Sequence, residues 1–200
     1  MSKLPSYEEA SRLLRKAGCE ENVVNHSTTV SRSATKLALA CAKGNMRIDV
    51  DLVKVGGLLH DIGRSLTHDV RHGVKGAEIA QSLKLPDGVV RIIASHVGAG
   101  IPKKEAEALG LPPGDYLPLT PEEKIVCYTD KLIKRDRRMS FQEAWREMAR
   151  RLGPNHPALE RFAKLHEEIT KMTRGEKSET HANAEDSTKQ TRGTANRGPR

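Results

Sequence analysis

The sequence of 200 residues is poor in aromatic residues and in cysteine. Phe, Tyr and Trp together make up only 3% of the chain. A core must therefore be built from Leu, Ile, Val and Ala, which suits packed helices better than aromatic-rich strands. Cys19, Cys41 and Cys127 are widely spaced and form no CxxC pair. This odd, scattered set argues against a disulfide framework and indicates a reducing compartment.

Long apolar segments are also missing. No secretory apolar region follows the N-terminal Met, and no run approaches the roughly 20 apolar residues that a membrane span requires. We therefore expect a soluble, cytoplasmic protein without a membrane partner. The net charge of +8 is compatible with nucleic acid as a partner. The oligomeric state has no signature in the sequence.

Helix signals are present along most of the chain. Ser6 with Glu9 and Ser140 with Glu143 form capping boxes, and Thr120 is followed by a proline at the first helical position. We find no sustained strand pattern and no internal repeat. The segments that follow His96 and Gly110 are expected to be loops. Helices are predicted between Ser6 and Gly18 and at about 21–43, 51–61, 72–83, 87–97, 121–135, 141–151 and 157–173.

This pattern predicts an all-α protein with one main helical domain. The expected divisions are an N-terminal helix at 1–19, the main domain at 20–135 and C-terminal helices at 136–173. From residue 174 to residue 200 we expect a disordered tail, because its polar composition cannot bury enough surface to offset the entropy of ordering.

The dipeptide His60-Asp61 stands out because of its setting. The chain has another such dipeptide at His68-Asp69, so the letters alone mean little. The first pair, however, closes an apolar helix that contains Gly56 and Gly57. These glycines lower helix propensity, and they would be tolerated if another helix crosses closely there. Polar groups at the end of a buried helix need partners, and a metal ion would supply them.

Further candidate ligands are predicted on neighbouring helices. His26 lies early in the second helix, His72 opens a helix, His96 closes one, and Asp130 lies within the helix that begins at Pro121. Helical bundles assemble metal sites from side chains that project inward from different helices. The ordered combination is more specific than any of its members.

The combination resembles the HD superfamily of metal-dependent phosphohydrolases. The resemblance rests on His26, on the run His-Asp-Ile-Gly at 60–63 and on Asp130 in Tyr-Thr-Asp-Lys-Leu, and it covers roughly residues 20–135. His72 and His96 are similar to positions in the subgroup that holds two metals. The arrangement resembles bacterial symmetrical dinucleoside tetraphosphate hydrolases and HDIG-type proteins of archaea and bacteria.

The resemblance implies an HD-domain helical bundle that cleaves a phosphomonoester or phosphodiester, with a nucleotide as the expected substrate and metal-activated hydroxide as the nucleophile. A mixed site of imidazoles and carboxylates favours Mn²⁺ or Fe, with Mg²⁺, Ni²⁺ and Co²⁺ as alternatives, and it would hold one or two ions. The implied ligands are His26, His60, Asp61 and Asp130 at one metal, and Asp61, His72 and His96 at the other.

Other residues beside the ligands are implied to assist the reaction. Arg64 and Lys131 are candidate catalytic and phosphate-binding groups, and His68 is a candidate proton donor or supporting group, with a solvated loop residue as its alternative. Some relatives have paired histidines where this chain has His96-Val97, and some have Lys where it has Arg64. The single histidine fits the dinucleotide-hydrolase pattern better than the cyclic-dinucleotide phosphodiesterase pattern.

Two alternatives stay open. The protein could be a regulatory or nucleic-acid-binding module in which a metal has a structural role. The basic cluster at 131–138, with Arg146, Arg150 and Arg151, could face a polyanionic substrate or be a solvated surface. His156, His166 and His181 lie beyond the candidate ligands, and we interpret them as ordinary surface residues.

Overall fold

The computed structural model describes residues 3–44 and 46–175, and helices dominate this part of the chain. Within these residues, strand pairing consists of one short hairpin and an isolated bridge between Ile101 and Tyr116. The predicted all-helical class is therefore confirmed. The elements are α1 Tyr7–Lys16, α2 Glu21–Lys43, α3 Val50–Leu59, α4 His72–Ser82, α5 Asp87–Ser95, α6 Lys103–Ala108, α7 Pro121–Lys131, β1 Ile133–Lys134, β2 Arg137–Arg138, α8 Phe141–Leu152 and α9 Pro157–Arg174.

The helix starts predicted from capping residues are confirmed. The Ser140 hydroxyl accepts from the Glu143 backbone N–H at 3.2 Å, and the Glu143 carboxylate accepts from the Ser140 N–H at 2.7 Å. A matching capping box begins α1. The Thr120 hydroxyl caps α7. These side chains satisfy backbone donors that the first helical turn leaves unpaired.

The central helix α3 is packed tightly against α2 through a glycine. A Cβ atom added at Gly57 would lie 3.1 Å from the Cα atom of Ser31 on α2. The Ser31 hydroxyl also donates to the Lys54 carbonyl at 2.6 Å. The expected close helix crossing at the glycine pair is thus confirmed, and it fixes the position of the α3 C-terminus.

The core consists of two main apolar clusters that meet along α3 and α5. One contains Leu14, Leu58 and Ile93 and joins α1, α3, α4 and α5. The other contains Ile125 and Phe162 and joins α2, α7, α8 and α9. The C-terminal helices are therefore part of the packed body, so they lie beside the end of α7 that carries Asp130.

Two predicted segments were wrong. The helix predicted to reach residue 135 ends at Lys131, and the chain then forms the hairpin β1–β2 with the register Ile133↔Arg138 and Lys134↔Arg137. The segment 97–104 was expected to be a loop, but α6 begins within it at Lys103 and continues to Ala108. A 3-10 turn at Ile62–Ser65 also follows α3 directly.

In the part of the chain that the structure describes, no helix has the length and apolar character that a membrane crossing needs. Helix α9 extends to Arg174. The predicted disordered tail otherwise lies outside the described residues.

Candidate metal centre

The six predicted ligands converge on one buried centre. They come from α2, the end of α3, the start of α4, the end of α5 and the last turns of α7. His60, Asp61, His72 and His96 are each at most 5% exposed. His26 and Asp130 are partly exposed. The structure therefore brings together all six side chains that sequence analysis selected from separate helices.

Backbone carbonyl groups orient the three buried histidines. His60, His72 and His96 place Nδ1 at 2.8, 2.6 and 2.7 Å from the carbonyl oxygens of Gly57, Asp69 and Ile93. A carbonyl can only accept, so each Nδ1 carries a hydrogen, and in the neutral ring each Nε2 presents a lone pair to the centre. Gly57 and Ile93 lie in the last turns of α3 and α5, where carbonyls lack helical partners.

The first group of candidate ligand atoms surrounds the carboxylate of Asp130. His26 Nε2 lies 2.9 Å and His60 Nε2 lies 3.4 Å from Asp130 Oδ1. Asp61 Oδ2 lies 3.9 Å from His26 Nε2 and 3.6 Å from His60 Nε2. His26, His60 and Asp130 offer potential ligand atoms within 4.8 Å of one another. The two histidines and the two carboxylates therefore face a common point.

A second group surrounds the other oxygen of Asp61. His72 Nε2 and His96 Nε2 each lie 3.3 Å from Asp61 Oδ1 and 3.0 Å from each other. Since both nitrogens present lone pairs, three acceptors meet here. Such an arrangement is repulsive unless a positive charge lies between the acceptors. The two oxygens of Asp61 therefore face different sets of histidines.

The donor set fits a divalent cation. Among the described residues, His60 Nε2 and Asp61 Oδ1 are buried without a hydrogen-bond partner. Buried polar atoms of this kind are costly when they have no partner. Imidazole and carboxylate together suit first-row divalent ions. The orphaned atoms and their chemistry are therefore those of a site for one or two ions.

The charge state of the centre also favours the binding of a cation. Burial lowers the pKa of His96 to about 4, so this ring is neutral at pH 7. Burial opposes the charged form of His60, but the charges of Asp61 and Asp130 raise its pKa above the usual value. For Asp130, burial opposes the charged form, but the Lys131 charge together with hydrogen bonds from His26 and His60 lowers its pKa well below the usual value. The centre thus favours anionic carboxylates and attracts positive charge.

The residues predicted to assist the reaction lie at the rim of this centre. Arg64 Nε donates to Asp61 Oδ2 at 2.6 Å, and Lys131 Nζ donates to Asp130 Oδ2. His68 is exposed and lies on the loop between the 3-10 turn and α4. The structure places all three beside the centre, and both cations contact carboxylates of the candidate ligand set.

A cleft of about 610 Å³ opens onto the centre. His26, His72 and Asp130 line one side of the cleft, and we call the six candidate ligands together the histidine wall. A further part of the lining comes from the segment 133–158, which we call the C-terminal wall. Sequence analysis named Arg151 only as part of a basic cluster and did not recognise Met139 or Met148. The recurrence of Ala144, Met148 and Leu152 at every fourth position of α8 is the signal that could have found this face.

Two histidines have more specific surroundings than predicted. His156 lines the cleft and caps α9, where its Nδ1 accepts from the Ala158 N–H at 3.2 Å. His166 Nδ1 accepts from the Tyr128 hydroxyl at 2.6 Å. The interpretation of both as ordinary surface residues was wrong. His181 lies outside the described residues.

Fold and side chains together define a class: an all-helical protein with a buried histidine–aspartate centre suited to divalent metal ions. Residues 23–135 match the family model described as HD domain, so the chain belongs to the HD domain family. The match includes all six candidate ligands and ends within the hairpin. Most of the C-terminal wall lies beyond it.

Individual relatives are similar in sequence to most of this chain. An uncharacterised protein of Methanocaldococcus jannaschii, MJ0778, is 47% identical over 166 residues, covering 83% of this chain and 98% of its own. The tRNA (cytidine(56)-2'-O)-methyltransferase of Picrophilus torridus is 37% identical over 170 residues, covering 84% of this chain and 48% of its own. The chain thus spans about half of that methyltransferase.

A solved structure shares the fold. The HD domain of the Listeria monocytogenes phosphodiesterase PgpH matches with a TM-score of 0.53 and 20% identity, covering 82% of this chain and 94% of the other. The same domain in complex with cyclic-di-AMP matches with a TM-score of 0.50. At this identity the likeness establishes the common fold.

Proposed function

We propose that the protein is a metal-dependent phosphohydrolase that cleaves a phosphomonoester or phosphodiester of a nucleotide. The observation that carries this proposal is the division of the centre by Asp61, whose two oxygens face two different groups of histidines. A carboxylate in this position suits the bridging of two cations. Membership of the HD domain family supports the same reaction class.

In this proposal the side chains bind the metal in two sets. His26, His60, Asp61 and Asp130 would hold one ion, and Asp61, His72 and His96 would hold the other. Mn²⁺ or Fe suits the mixed donors best, with Mg²⁺, Ni²⁺ and Co²⁺ as alternatives. A divalent ion supplies Lewis-acid stabilisation of phosphoryl oxygens and a nucleophile at neutral pH.

The chain's own cations would orient the phosphate. Arg64 uses its Nε for Asp61, which leaves the two terminal nitrogens of the guanidinium for phosphoryl oxygens. Lys131 has three donors and uses one on Asp130. His68 is exposed at the rim of the cleft, where it could give a proton to the leaving oxygen.

The test is an assay of wild type and Asp61→Ala with Mn²⁺, Mg²⁺ or chelator. The substrates are nucleoside mono-, di- and triphosphates, a dinucleoside tetraphosphate, cyclic-di-AMP and bis-p-nitrophenyl phosphate. We expect wild type to turn over at least one of these substrates. Asp61→Ala should lower the rate by at least about 10³-fold, because it removes the carboxylate between the two groups of histidines. Chelator should lower the rate by at least about the same factor, because it removes the cation between them. Metal content measured on the same samples should fall in parallel.

Asp51→Ala is the control, because Asp51 is exposed in the first turn of α3 and does not line the cleft. This variant should keep its metal and most of its turnover. Equal rates in wild type and Asp61→Ala would contradict the proposal, as would turnover that is unaffected by chelator.

A nucleic-acid-binding module is the second candidate. It is favoured by the exposed basic side chains of Arg137 and Arg150 near the cleft and by the tRNA-linked name of one relative. Binding of tRNA that weakens steeply with salt, in a protein without turnover on any substrate, would favour this function over hydrolysis. The two candidates are therefore separated by adding a tRNA-binding titration to the assay.

A further inference from the structure

The cleft is larger than a reacting phosphate requires. Its volume of about 610 Å³ lies within the range of sites that enclose a whole small ligand. The histidine wall and its rim residues Arg64 and Lys131 account for one side. The C-terminal wall is therefore available to the part of the ligand that lies beyond the phosphate at the histidines.

The floor of the C-terminal wall is apolar. Met139 and Met148 are 7% and 4% exposed and line the cleft together with Ile133 and Leu152. Unbranched thioether side chains present an adaptable, polarisable surface to a flat ring. This floor suits a nucleobase better than a second charged group.

Cationic side chains stand above that floor. Lys134 and Arg151 are exposed and line the cleft. Lys134 pairs with Glu147 at 2.9 Å, and Glu147 also contacts Arg150. Among the described residues, Arg151 has no ion-pair partner, so its guanidinium is available for an anion in the cleft.

The acidic side chains of the cleft do not cancel this charge. Glu105 pairs with Arg161 at 2.9 Å, and both side chains are about four-fifths buried. Glu147 is already engaged by two cations. Lys134 and Arg150 together exceed Glu147 by one positive charge, and Arg151 adds a second, on the same face as the apolar floor.

The hairpin β1–β2 connects the two walls. His26 Nδ1 lies 3.4 Å from the carbonyl oxygen of Arg135 at the hairpin turn. The Met139 N–H donates to the Leu132 carbonyl at 2.8 Å, directly after α7. Lys134 belongs to the C-terminal wall, although it follows the candidate ligand Asp130 by only four residues.

We propose that the C-terminal wall is a specificity site for a nucleoside and a second phosphate. This rests on the proposed function and names its substrate class: a nucleotide in which one nucleoside separates two phosphates. The reacting phosphate faces the histidine wall, the base lies on Met139 and Met148, and the second phosphate pairs with Arg151 and Lys134. A nucleoside bisphosphate and the end of a short oligonucleotide both have this chemistry.

The test compares AMP with adenosine 3',5'-bisphosphate, which differ only by the second phosphate, and adds the linear dinucleotide pApA. Equilibrium binding is measured by calorimetry on chelator-treated wild type, so that the result does not depend on turnover. The bisphosphate should bind at least about tenfold tighter than AMP, as expected for one charge-assisted pair. Preference for pApA over the bisphosphate would identify an oligonucleotide end as the source, and the reverse would identify the free bisphosphate.

Arg151→Gln is the decisive variant, since an exposed, unpaired arginine can be replaced without disturbing the core. It should remove the preference for the bisphosphate and leave AMP binding unchanged. Arg146→Gln, on the same helix but outside the cleft, is the matched control and should keep the preference. The proposal is overturned if wild type binds both nucleotides equally or not at all, if Arg151→Gln weakens both alike, or if Arg146→Gln acts like Arg151→Gln.

Where wild type turns over, the same variants give a second readout. Arg151→Gln should lower kcat/KM about tenfold for the bisphosphate and leave that for AMP unchanged. Absence of turnover on every substrate would contradict the proposed function, whereas the binding preference would still decide the specificity site. The two failures are therefore distinguishable.

Discussion

The two walls of the cleft differ in what holds their side chains in place. On the histidine wall, the imidazoles of His60, His72 and His96 are buried, and each donates to a carbonyl three residues earlier in the chain. On the C-terminal wall, Lys134, Glu147 and Arg150 are held mainly by one another at the surface. Buried hydrogen bonds to the backbone leave a side chain little freedom, whereas exposed ion pairs are weak and exchange readily.

This difference assigns the walls different tasks. Metal binding requires ligand atoms at nearly fixed positions, which the packed helix ends provide. Recognition of the rest of a substrate tolerates adjustment, which exposed charges above a methionine floor allow. We therefore expect substitutions to be costly for folding and metal binding on the histidine wall, and to change mainly substrate preference on the C-terminal wall.

The largest effect on stability is expected at Gly63, where the 3-10 turn passes α4. A Cβ atom at this position would lie 2.0 Å from the carbonyl oxygen of His72 and 2.5 Å from the backbone nitrogen of Gly76. Backbone atoms cannot move aside as a side chain would. Gly63→Ala should cost about 3 kcal/mol or more, which lowers Tm by roughly 10 °C in a protein of this size.

Gly110→Ala is the control for this substitution, because a Cβ atom there meets nothing within 4 Å. Its φ of +67° still favours glycine, so a loss of about 1 kcal/mol is expected. Thermal melts of both variants test the comparison. If the two lose the same stability, the close approach at Gly63 does not constrain the histidine wall.

An intermediate effect is expected from the ion pair behind the histidine wall. Glu123 is 2% exposed and accepts from Arg91 Nε at 2.8 Å and from the Leu119 N–H at 2.8 Å. This contact joins α5, which leads to His96, to the start of α7, which carries Asp130. Glu123→Gln should cost about 1–2 kcal/mol, less than a fully buried pair because the Arg91 side chain is 48% exposed.

Denaturant unfolding measures this loss, and a metal titration should show weaker binding because α5 and α7 are less firmly joined. Glu160→Gln is the control, since Glu160 pairs with Lys164 in an exposed contact on α9. It should leave both stability and metal affinity unchanged. Unchanged metal affinity in Glu123→Gln would mean that this ion pair does not position the centre.

Sequence analysis predicted the histidine wall because its residues lie at helix ends with recognisable signals. His60 follows an apolar helix, and His96 ends another. Gly56 and Gly57 indicated a place where another helix could cross closely. These are local patterns whose consequence, convergence of the side chains, follows from helix packing.

The C-terminal wall could not be predicted in the same way. The end of α7 has no glycine or proline, and the hairpin turn contains Arg135 with a φ of +60°, a conformation that a non-glycine residue adopts uncommonly. Helix periodicity therefore continued through β1 in the prediction. Helix α6 is only six residues long, too short to establish a periodic pattern.

His166 shows a further limit, and it carries the smallest expected effect. Its Nδ1 accepts from the Tyr128 hydroxyl at 2.6 Å, and its ring stacks on Phe141 at 3.9 Å. Tyr128 and His166 are 38 positions apart, so no local pattern links them. Burial raises the pKa of Tyr128 to about 12, which keeps its hydroxyl protonated as a donor, and burial lowers the pKa of His166.

Because the pKa of His166 is lower in the folded than in the unfolded chain, the unfolded state binds more protons below about pH 6.5. Stability from this group is therefore complete above that pH and decreases as the pH falls towards the folded-state pKa. We expect the Tm of wild type to fall between pH 7.5 and pH 5.5 by more than that of His166→Gln, because Gln can still pair with Tyr128 but does not titrate. The buried histidines of the centre remain in both proteins and contribute equally to the two melts. An identical decrease in wild type and variant would show that the contact of α9 with α7 is insensitive to protonation of His166.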